Sequence, residues 1–353
     1  VVRIEELKIP VALTDEGGAE FARAIEIGNA VEAITYGTRD LAYRAEEELP
    51  HWNDRYTPHR VLLAHHDGEI VGRATYETLA EEDSDTAWVG VQVLPAFENR
   101  GIGRALAEGI EALAASEGRT KLLAYTGVVG DSGERLPSPT GFGSVPRDDR
   151  GTRFLLARGY RLEQVERVSR LPLPVADLDG LVAAARAVSG PDYDVVTWAG
   201  PTPAEWREDI AALGTRMSTD APTAGLEEPE DVWTVQRVID ADERDRANPR
   251  TRLVAGALHV PTGRLAGYTV LSVPEQLERC VDQYATLVLR EHRGHRLGML
   301  LKVANLAHLA RVRPGHPSVI TFNAEENRHM LDVNEAVGFV PIAHEGAWRK
   351  DLE

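Results

Sequence analysis

Apolar positions recur along the chain in two modes: short runs of period two, and longer stretches near period 3.6. Arg60 to Leu79 reads RVLLAHHDGEIVGRATYETL, an apolar run, the turn cluster His66-Asp67-Gly68, and a second run that contains Gly72. That pattern predicts a hairpin. Arg252 to Val273 reads RLVAGALHVPTGRLAGYTVLSV, with Pro261-Thr262-Gly263 at the turn and Gly267 in the place of Gly72, 195 residues on. The next match keeps this offset: VLPAFENRGIGRAL (Val93 to Leu106) aligns with VLREHRGHRLGMLL (Val288 to Leu301). Extended stretches precede both, Ala87 to Val93 and Tyr284 to Val288, and helical patterns follow both, ALAEGIEALAASEG and LLKVANLAHLARV. Each copy therefore predicts strand, glycine turn and helix.

A third pair closes each copy. FLLARGYRLEQVERVSRL (Phe154 to Leu171) and MLDVNEAVGFVPIAHEGAWRKDL (Met330 to Leu352) each read as a short helix ending at a glycine and an aromatic, Gly159-Tyr160 and Gly338-Phe339. The offset falls to 179, so the first copy holds 16 extra residues, within the Gly-, Pro- and Ser-rich stretch Gly127 to Asp149, which reads as a long loop. Leu171-Pro172-Leu173-Pro174 ends the first copy. An amphipathic segment (Asp177 to Val188) and Ser189-Gly190-Pro191-Asp192 follow, and Tyr193 opens the second copy. The sequence thus predicts two tandem α/β (α+β) domains of one fold, 1–175 and 193–353, joined by a connector at 176–192. Each would be a mixed twisted sheet flanked by helices.

Composition narrows the function. A length of 353 residues suits two domains with sizeable cores, and 43% apolar with 27% charged residues is ordinary for a globular protein. The formal charge of −17 argues against broad nucleic-acid or anionic-membrane binding and is compatible with a cationic substrate. Arginine far outnumbers lysine, a bias we attribute to genome composition. Cys280 is the only cysteine, so there is no internal disulfide and no multi-cysteine zinc site, and a cytoplasmic setting is the default expectation. The opening VVRIEELKIPVALTDEGGAEFARA has no signal-peptide pattern, and no apolar run reaches the ~18 residues of a membrane span. No GxxxxGK[ST], full GxGxxG or HExxH pattern occurs, so nucleotide hydrolysis, Rossmann dehydrogenation and zinc hydrolysis lack support; no metal is expected.

A strand that runs into a glycine turn and a helix presents free backbone N–H groups suited to a phosphate. Asn99, Arg100, Gly101, Ile102 and Gly103 form one candidate anion site, and Gly294, His295, Arg296, Leu297 and Gly298 a second. Tight packing is the alternative reason for glycine there.

With these residues in view, the chain resembles the GNAT acetyltransferase superfamily in a tandem form, similar in layout to the mycothiol synthases. The resemblance rests on the strand ending Val-x-Pro, the Arg/Gln-x-x-Gly-x-Gly/Ala turn, and the late helix before Gly-Phe, and it covers nearly the whole chain as two copies. It implies acetyl-CoA as cosubstrate, with the pyrophosphate at the turn and Val93, Val288 and Leu289 at the strand ends beside it. In the first copy Glu98 replaces the usual Arg or Gln, Leu155 stands where an acid tyrosine is common, and Asp148 stands where the helix asparagine would be. In the second, Arg293 holds the Arg/Gln position and Arg296 replaces the first glycine, its side chain either adding charge or facing solvent. Asn323 and Asn327 would touch the pantetheine arm or fix waters, unless Asn323 caps a helix, and Asn334 replaces the tyrosine. On these residues the second copy is the expected site of cofactor binding and catalysis.

Acetyl transfer to an amine needs a proton acceptor, an oxyanion stabiliser and a tolerated thiolate. The resemblance implies direct transfer, so Cys280 is expected to be a small buried residue. Candidate catalytic residues are Asn334, Tyr284 and Asp282, with Glu278 nearby. Asp220, in Met217 to Pro222, is the candidate to hold a cationic amine in an acceptor loop, or else forms an Asx turn. His292 and His295 border the second turn. The predicted activity is N-acetyl transfer from acetyl-CoA to an amine on a small molecule or peptide, by a monomer. The alternatives are a different acyl group, or a non-catalytic acyl-CoA sensor or scaffold.

Overall fold

The computed structural model describes residues 2–80, 84–130 and 132–352. They form two compact units that interleave in sequence. The first takes Val1–Glu166, Thr223–Pro229 and Ala343–Glu353, and the second Arg167–Pro222 and Glu230–Ile342. The stretches read from sequence (1–175, 176–192, 193–353) are continuous, whereas the first unit also takes 223–229 and 343–353, and the second begins at Arg167.

The first unit contains β1 (Val2–Leu7), α1 (Gly18–Thr35), α2 (Ala45–Trp52), β2 (His59–His66), β3 (Glu69–Thr78), β4 (Thr86–Val93), α3 (Ile102–Ser116) and β5 (Lys121–Val128). The segment expected to be a plain loop then forms a small antiparallel hairpin, β6 (Arg135–Pro137) and β7 (Ser144–Pro146), before α4 (Arg150–Ala157). β8 (Arg161–Pro172) carries the chain into the second unit. There follow α5 (Leu178–Ser189), β9 (Tyr193–Ala199), α6 (Arg207–Asp220), α7 (Val235–Ala247), β10 (Thr251–His259), β11 (Arg264–Val273), β12 (Val281–Val288), α8 (Leu297–Val312), β13 (Ser318–Ala324) and α9 (Arg328–Val337). β14 (Val340–Asp351) returns to the first unit, where His344 to Asp351 pair antiparallel with Val128 to Lys121 of β5.

β1 to β4 form an antiparallel meander. β4 then pairs with β5 in parallel, but only at Thr86–Lys121, Ala87–Leu122 and Trp88–Leu123. Beyond Trp88 the two strands part. The second unit repeats this arrangement: β9 to β12 are antiparallel, and β12 meets β13 in parallel only at Val281–Val319 and Asp282–Ile320. The predicted hairpin turn at Asp67-Gly68 has both residues at positive φ (51° and 89°), matching the right-handed twist of its strands. Gly72 and Gly267 occur at equal places because the next strand comes close: a Cβ would lie 3.0 Å from the Gln92 carbonyl in one and 2.4 Å from that of Leu287 in the other. The copies also differ in this strand pairing. Between Thr269 and Leu271 of β11 the single residue Val270 opposes two of β12, Ala285 and Tyr284, so β12 carries a bulge that the described β3·β4 pairing lacks.

α3 buries one stripe, Ile102, Leu106, Ala107, Ile110 and Ala114. α8 is buried over most of its surface because α5 covers its outer side through Leu178, Leu181, Val182 and Ala185. Lys302 is thereby enclosed. It is 2% exposed, its ammonium lies 5.7 Å from the Phe339 ring, and burial pulls its pKa down to about 7 from the ordinary 10.5. A lowered lysine pKa gives stability that is full above the unfolded value, near 10.5, and is lost as pH falls toward 7. Lys302→Met is therefore expected to raise unfolding stability at pH 7 by a few kcal/mol, of the order set by ~1.4 kcal/mol per pKa unit, and to flatten the rise between pH 7 and 10. Urea unfolding across that range checks both.

Candidate active site

Both predicted turns open helices. In the first, Asn99 and Gly101 take left-handed backbone (φ 58° and 81°) before α3. In the second, the left-handed residues are Gly294 and Arg296 (φ 90° and 54°), so glycine and side chain have exchanged places. Left-handed backbone costs a non-glycine residue roughly 1 kcal/mol. The first-turn N–H groups, from Ile102 and Gly103 or from Leu297 and Gly298, have no intrahelical partner by construction. Packing does not explain the following glycines. A Cβ at Gly298 would meet nothing within 4 Å, and one at Gly103 would make only ordinary contacts, the nearest 3.5 Å from the Phe154 ring. Each helix end is open to a bulky anion.

The charges around the turns are set differently from the sequence expectation. Glu98 is not left facing the first turn alone, because Arg150 Nη1 donates to its Oε1 at 2.6 Å. Arg100 lies over the Phe97 ring at 5.3 Å. In the second unit Asp220 is the last residue of α6 rather than part of a loop, and its side chain is 3% exposed. Arg293 Nη2 donates to it at 3.0 Å and Arg290 Nη2 lies 3.1 Å away. Two guanidinium groups occupy the carboxylate that was expected to hold an amine. Arg293 also donates to the Val288 carbonyl (3.2 Å), which ties its head to its own strand end beside Leu289.

The remaining predicted residues fall into separate places. Asp282 is nearly buried and ion-paired with Arg250, which removes it as a free base. Tyr284 sits at the β12 bulge, half-exposed. Asn334 is buried and donates to Asn323 Oδ1 at 2.6 Å, so these two meet. Asn323 lies within β13 and caps nothing. The cap of α9 is Asn327, whose Oδ1 accepts from Met330 N at 3.3 Å. Asp149, not Asp148, caps α4, accepting from Gly151 N at 2.8 Å. His292 and His295 pack with His259 around Tyr193, whose hydroxyl is 2.9 Å from His292 Nδ1. Cys280 is buried beside Ser318 Oγ (2.9 Å). Among the described residues no His/Cys/Asp/Glu group is arranged for a metal, and no helix is long and apolar enough to cross a membrane.

A polar opening lies elsewhere, in the first unit. A cavity of about 380 Å³ lies between α1, α2 and the faces of β3, β4 and β5. Glu32 comes from α1 and Tyr36 from the residue just after it, Glu48 and Trp52 from α2, His59 from β2, Arg73, Thr75 and Glu77 from β3, and Gly90 and Gln92 from β4. Tyr125 lines it from β5 and Glu345 from β14. Arg73 Nε donates to Gln92 Oε1 (2.6 Å), and Gln92 Nε2 to Glu32 Oε1 (2.9 Å). Tyr36 Oη donates to Glu345 Oε1 (2.7 Å), and Trp52 Nε1 to Glu48 Oε2 (3.0 Å). Burial pushes the Glu32 and Glu48 carboxyls up, with Arg73 opposing. Glu345 rises to about 8, through burial and the carboxylates of Glu166 and Glu32.

A second, apolar groove lies against α3 and α4, lined by Ala107, Ile110, Phe154, Leu155 and Tyr160. It and the polar cavity share Val89, Gly90 and Val91 of β4 with Tyr125 and Thr126 of β5. Those residues flank the split beyond Trp88. Carboxyl ends of parallel strands are favoured ligand sites, and here a strand with an unpaired side borders both openings.

Sequence reasoning missed this cavity. A signal existed for Glu32, which falls in the helical register of buried Phe21, Ala24, Ile25 and Gly28, and for Arg73, a charge inside an apolar strand. Glu345 gave none, since its place follows from β14 joining the first unit.

The split parallel pair thus lies beside a glycine turn, with an acidic cavity on one side and an apolar groove on the other. Residues 30–133 match the Acetyltransferase (GNAT) family, and the matched stretch lies in the first unit. Over the whole chain the protein is similar to a tandem GNAT protein from the clavulanic acid biosynthesis pathway, solved without AcCoA. Identity is 27%, coverage 99% of this chain and 98% of that one, and the TM-score 0.74. The fold alone is shared with a GCN5-related N-acetyltransferase from Sphaerobacter thermophilus (14% identity, 99% and 95% coverage, TM-score 0.60). It is shared too with a glucosamine N-acetyltransferase region of a fungal multi-domain GH3 β-N-acetylglucosaminidase (15%, 99% and 38%, 0.60). No curated protein matches. The chain is an acyltransferase that shares the layout of a tandem GNAT protein, with its GNAT family match at residues 30–133.

Proposed function

We propose that the protein transfers an acetyl group from acetyl-CoA to an amine, acting as a monomer, and that the chemistry takes place in the first unit. The observation that carries this reading is the meeting of the two openings at Gly90-Val91 and Tyr125-Thr126. The second unit differs at the corresponding positions, 195 residues on. Arg73, Thr75 and Gln92 become Tyr268, Val270 and Leu287, which pack into an apolar cluster with Ile210, Leu213 and Trp233. Ala107 and Ile110, which line the groove, become the buried Lys302 and Asn305. These differences weigh against the second-copy assignment drawn from Arg293, Asn323 and Asn327.

The residues of the first turn fit an acyl-CoA pyrophosphate: the N–H groups of Ile102 and Gly103, the open side of Gly103, Arg100, and an Arg150 that offsets Glu98. When bound, acetyl-CoA supplies the thioester carbonyl. The N–H groups of β4 that face away from β3 at the split are available to an oxyanion. Glu32 and Glu345 line the cavity that borders this split and are its candidate proton acceptors, their affinity for protons raised by burial, as base catalysis requires. Calorimetric titration with acetyl-CoA is expected to show one site per chain, and thiol release should be detectable with an amine present. Two sites would overturn the single-unit assignment. No binding by folded protein would overturn the activity, and binding without thiol release from any amine would make the chain a sensor.

A further inference from the structure

We propose that the acceptor is a small organic cation, an amine without an acidic group, and that the first unit's cavity excludes amino acids and other anionic amines. The inference deepens the reading that the first unit is the catalytic one. Its basis is the pairing of charges around the cavity. Four carboxylates line it, from Glu32, Glu48, Glu77 and Glu345, against two basic side chains, Arg73 and His59. Both basic groups are committed. Arg73 is bonded to Gln92 and lies in the field of Glu32 and Glu48, and His59 Nε2 is 3.2 Å from Glu77. Gly28 lets the Arg73 guanidinium lie against α1, since a Cβ there would fall 1.9 Å from Nη2. That head is packed against α1 and bonded to Gln92, so meeting a ligand would cost it both contacts.

An anionic group entering the cavity would therefore meet carboxylates with no cation to receive it, and would lose its hydration besides. An ammonium meets the reverse. Glu345, bonded to Tyr36, and the edge of Glu32 left by Gln92 are carboxyl groups that a cation would satisfy. Burial raises the Glu32, Glu48 and Glu345 carboxyls, and neighbouring carboxylates add to the rise at Glu48 and Glu345, so an ammonium placed among them would offset part of that cost. The rest of the wall, Val31, Trp52, Trp88 and Leu123, suits an apolar body. At roughly 30 Å³ for a water-sized group, the cavity holds about a dozen heavy atoms. The overall charge of −17 draws cations toward it.

The test uses pairs of probes that differ by one carboxylate: cadaverine against lysine, and 2-phenylethylamine against phenylalanine. Each is titrated calorimetrically into the full chain with CoA present at pH 7.5. The amine of at least one pair is expected to bind, and at least tenfold more tightly than its amino acid. Glu32→Gln should narrow that ratio to less than threefold while the far-ultraviolet dichroism stays unchanged. An amino acid that binds as tightly as its amine overturns the proposal, as does a failure of all four probes to bind while CoA does. Loss of CoA binding instead strikes the functional reading, and the wild-type ratio still judges the charge rule by itself.

Discussion

Gly103→Asp is expected to weaken acetyl-CoA binding at least a hundredfold, and Gly298→Asp to leave it within threefold. A carboxylate in the first turn of α3 would face an entering pyrophosphate. At ~4 Å and an effective dielectric constant near 20, like charges repel by about 4 kcal/mol, enough for the stated loss even after screening. The fold should tolerate both changes. There is room for a side chain at each position, and an acidic residue near a helix N-terminus favours the helix dipole. A loss of affinity therefore reports on the ligand and not on the scaffold, and thermal unfolding of each variant checks the point. The opposite pattern, with Gly298→Asp damaging and Gly103→Asp silent, would return the cofactor to the second unit and favour the residues that the motif alone singles out.

That contrast also shows what a sequence carries. Hairpins, turns and helix ends were legible because local chemistry sets them: Asp67-Gly68 adopts the backbone its composition favours, and Gly72 and Gly267 answer to a strand that passes close by. The two-copy layout was legible because both copies keep the same spacing. The candidate site was less so. Motif matching weighs the residue at each turn position, so Arg293 counted for the second copy and Glu98 against the first. The fold gives both residues partners far along the chain, Asp220 on Arg293 and Arg150 on Glu98, which motif matching does not weigh. The cavity depends on such partners entirely. Tyr36 and Glu345 are 309 residues apart, and their bond follows from β14 pairing with β5. Nothing in either segment alone announces it. Similarly, the burial of Lys302 follows from α5 covering α8, a contact between segments more than a hundred residues apart.

Arg73→Met should be the most damaging single change in the first unit. The guanidinium is buried, its charge compensates Glu32 and Glu48, and its Nε holds Gln92 in place to bond Glu32. Removing a buried charge leaves the carboxylates in its field uncompensated, at a cost approaching the ~3–5 kcal/mol seen when a buried ion pair loses one partner. Urea unfolding followed by Trp fluorescence should show a loss of that size, and acetyl transfer should fall more than tenfold because the carboxylates at the split would protonate or shift. Two companion variants separate charge from shape. Gly28→Ala retains the arginine but places a methyl group 1.9 Å from its Nη2, so it should reproduce part of the loss with every charge still present. Arg73→Met combined with Glu48→Gln removes the cation and one of its counter-charges together. If uncompensated charge is the cause, the double variant should recover 1 kcal/mol or more relative to Arg73→Met, within the roughly 0.5–3 kcal/mol coupling usual for groups in contact. If the two losses simply add, Arg73 acts through packing on Trp52 and α1, and the electrostatic account of the cavity would have to be given up.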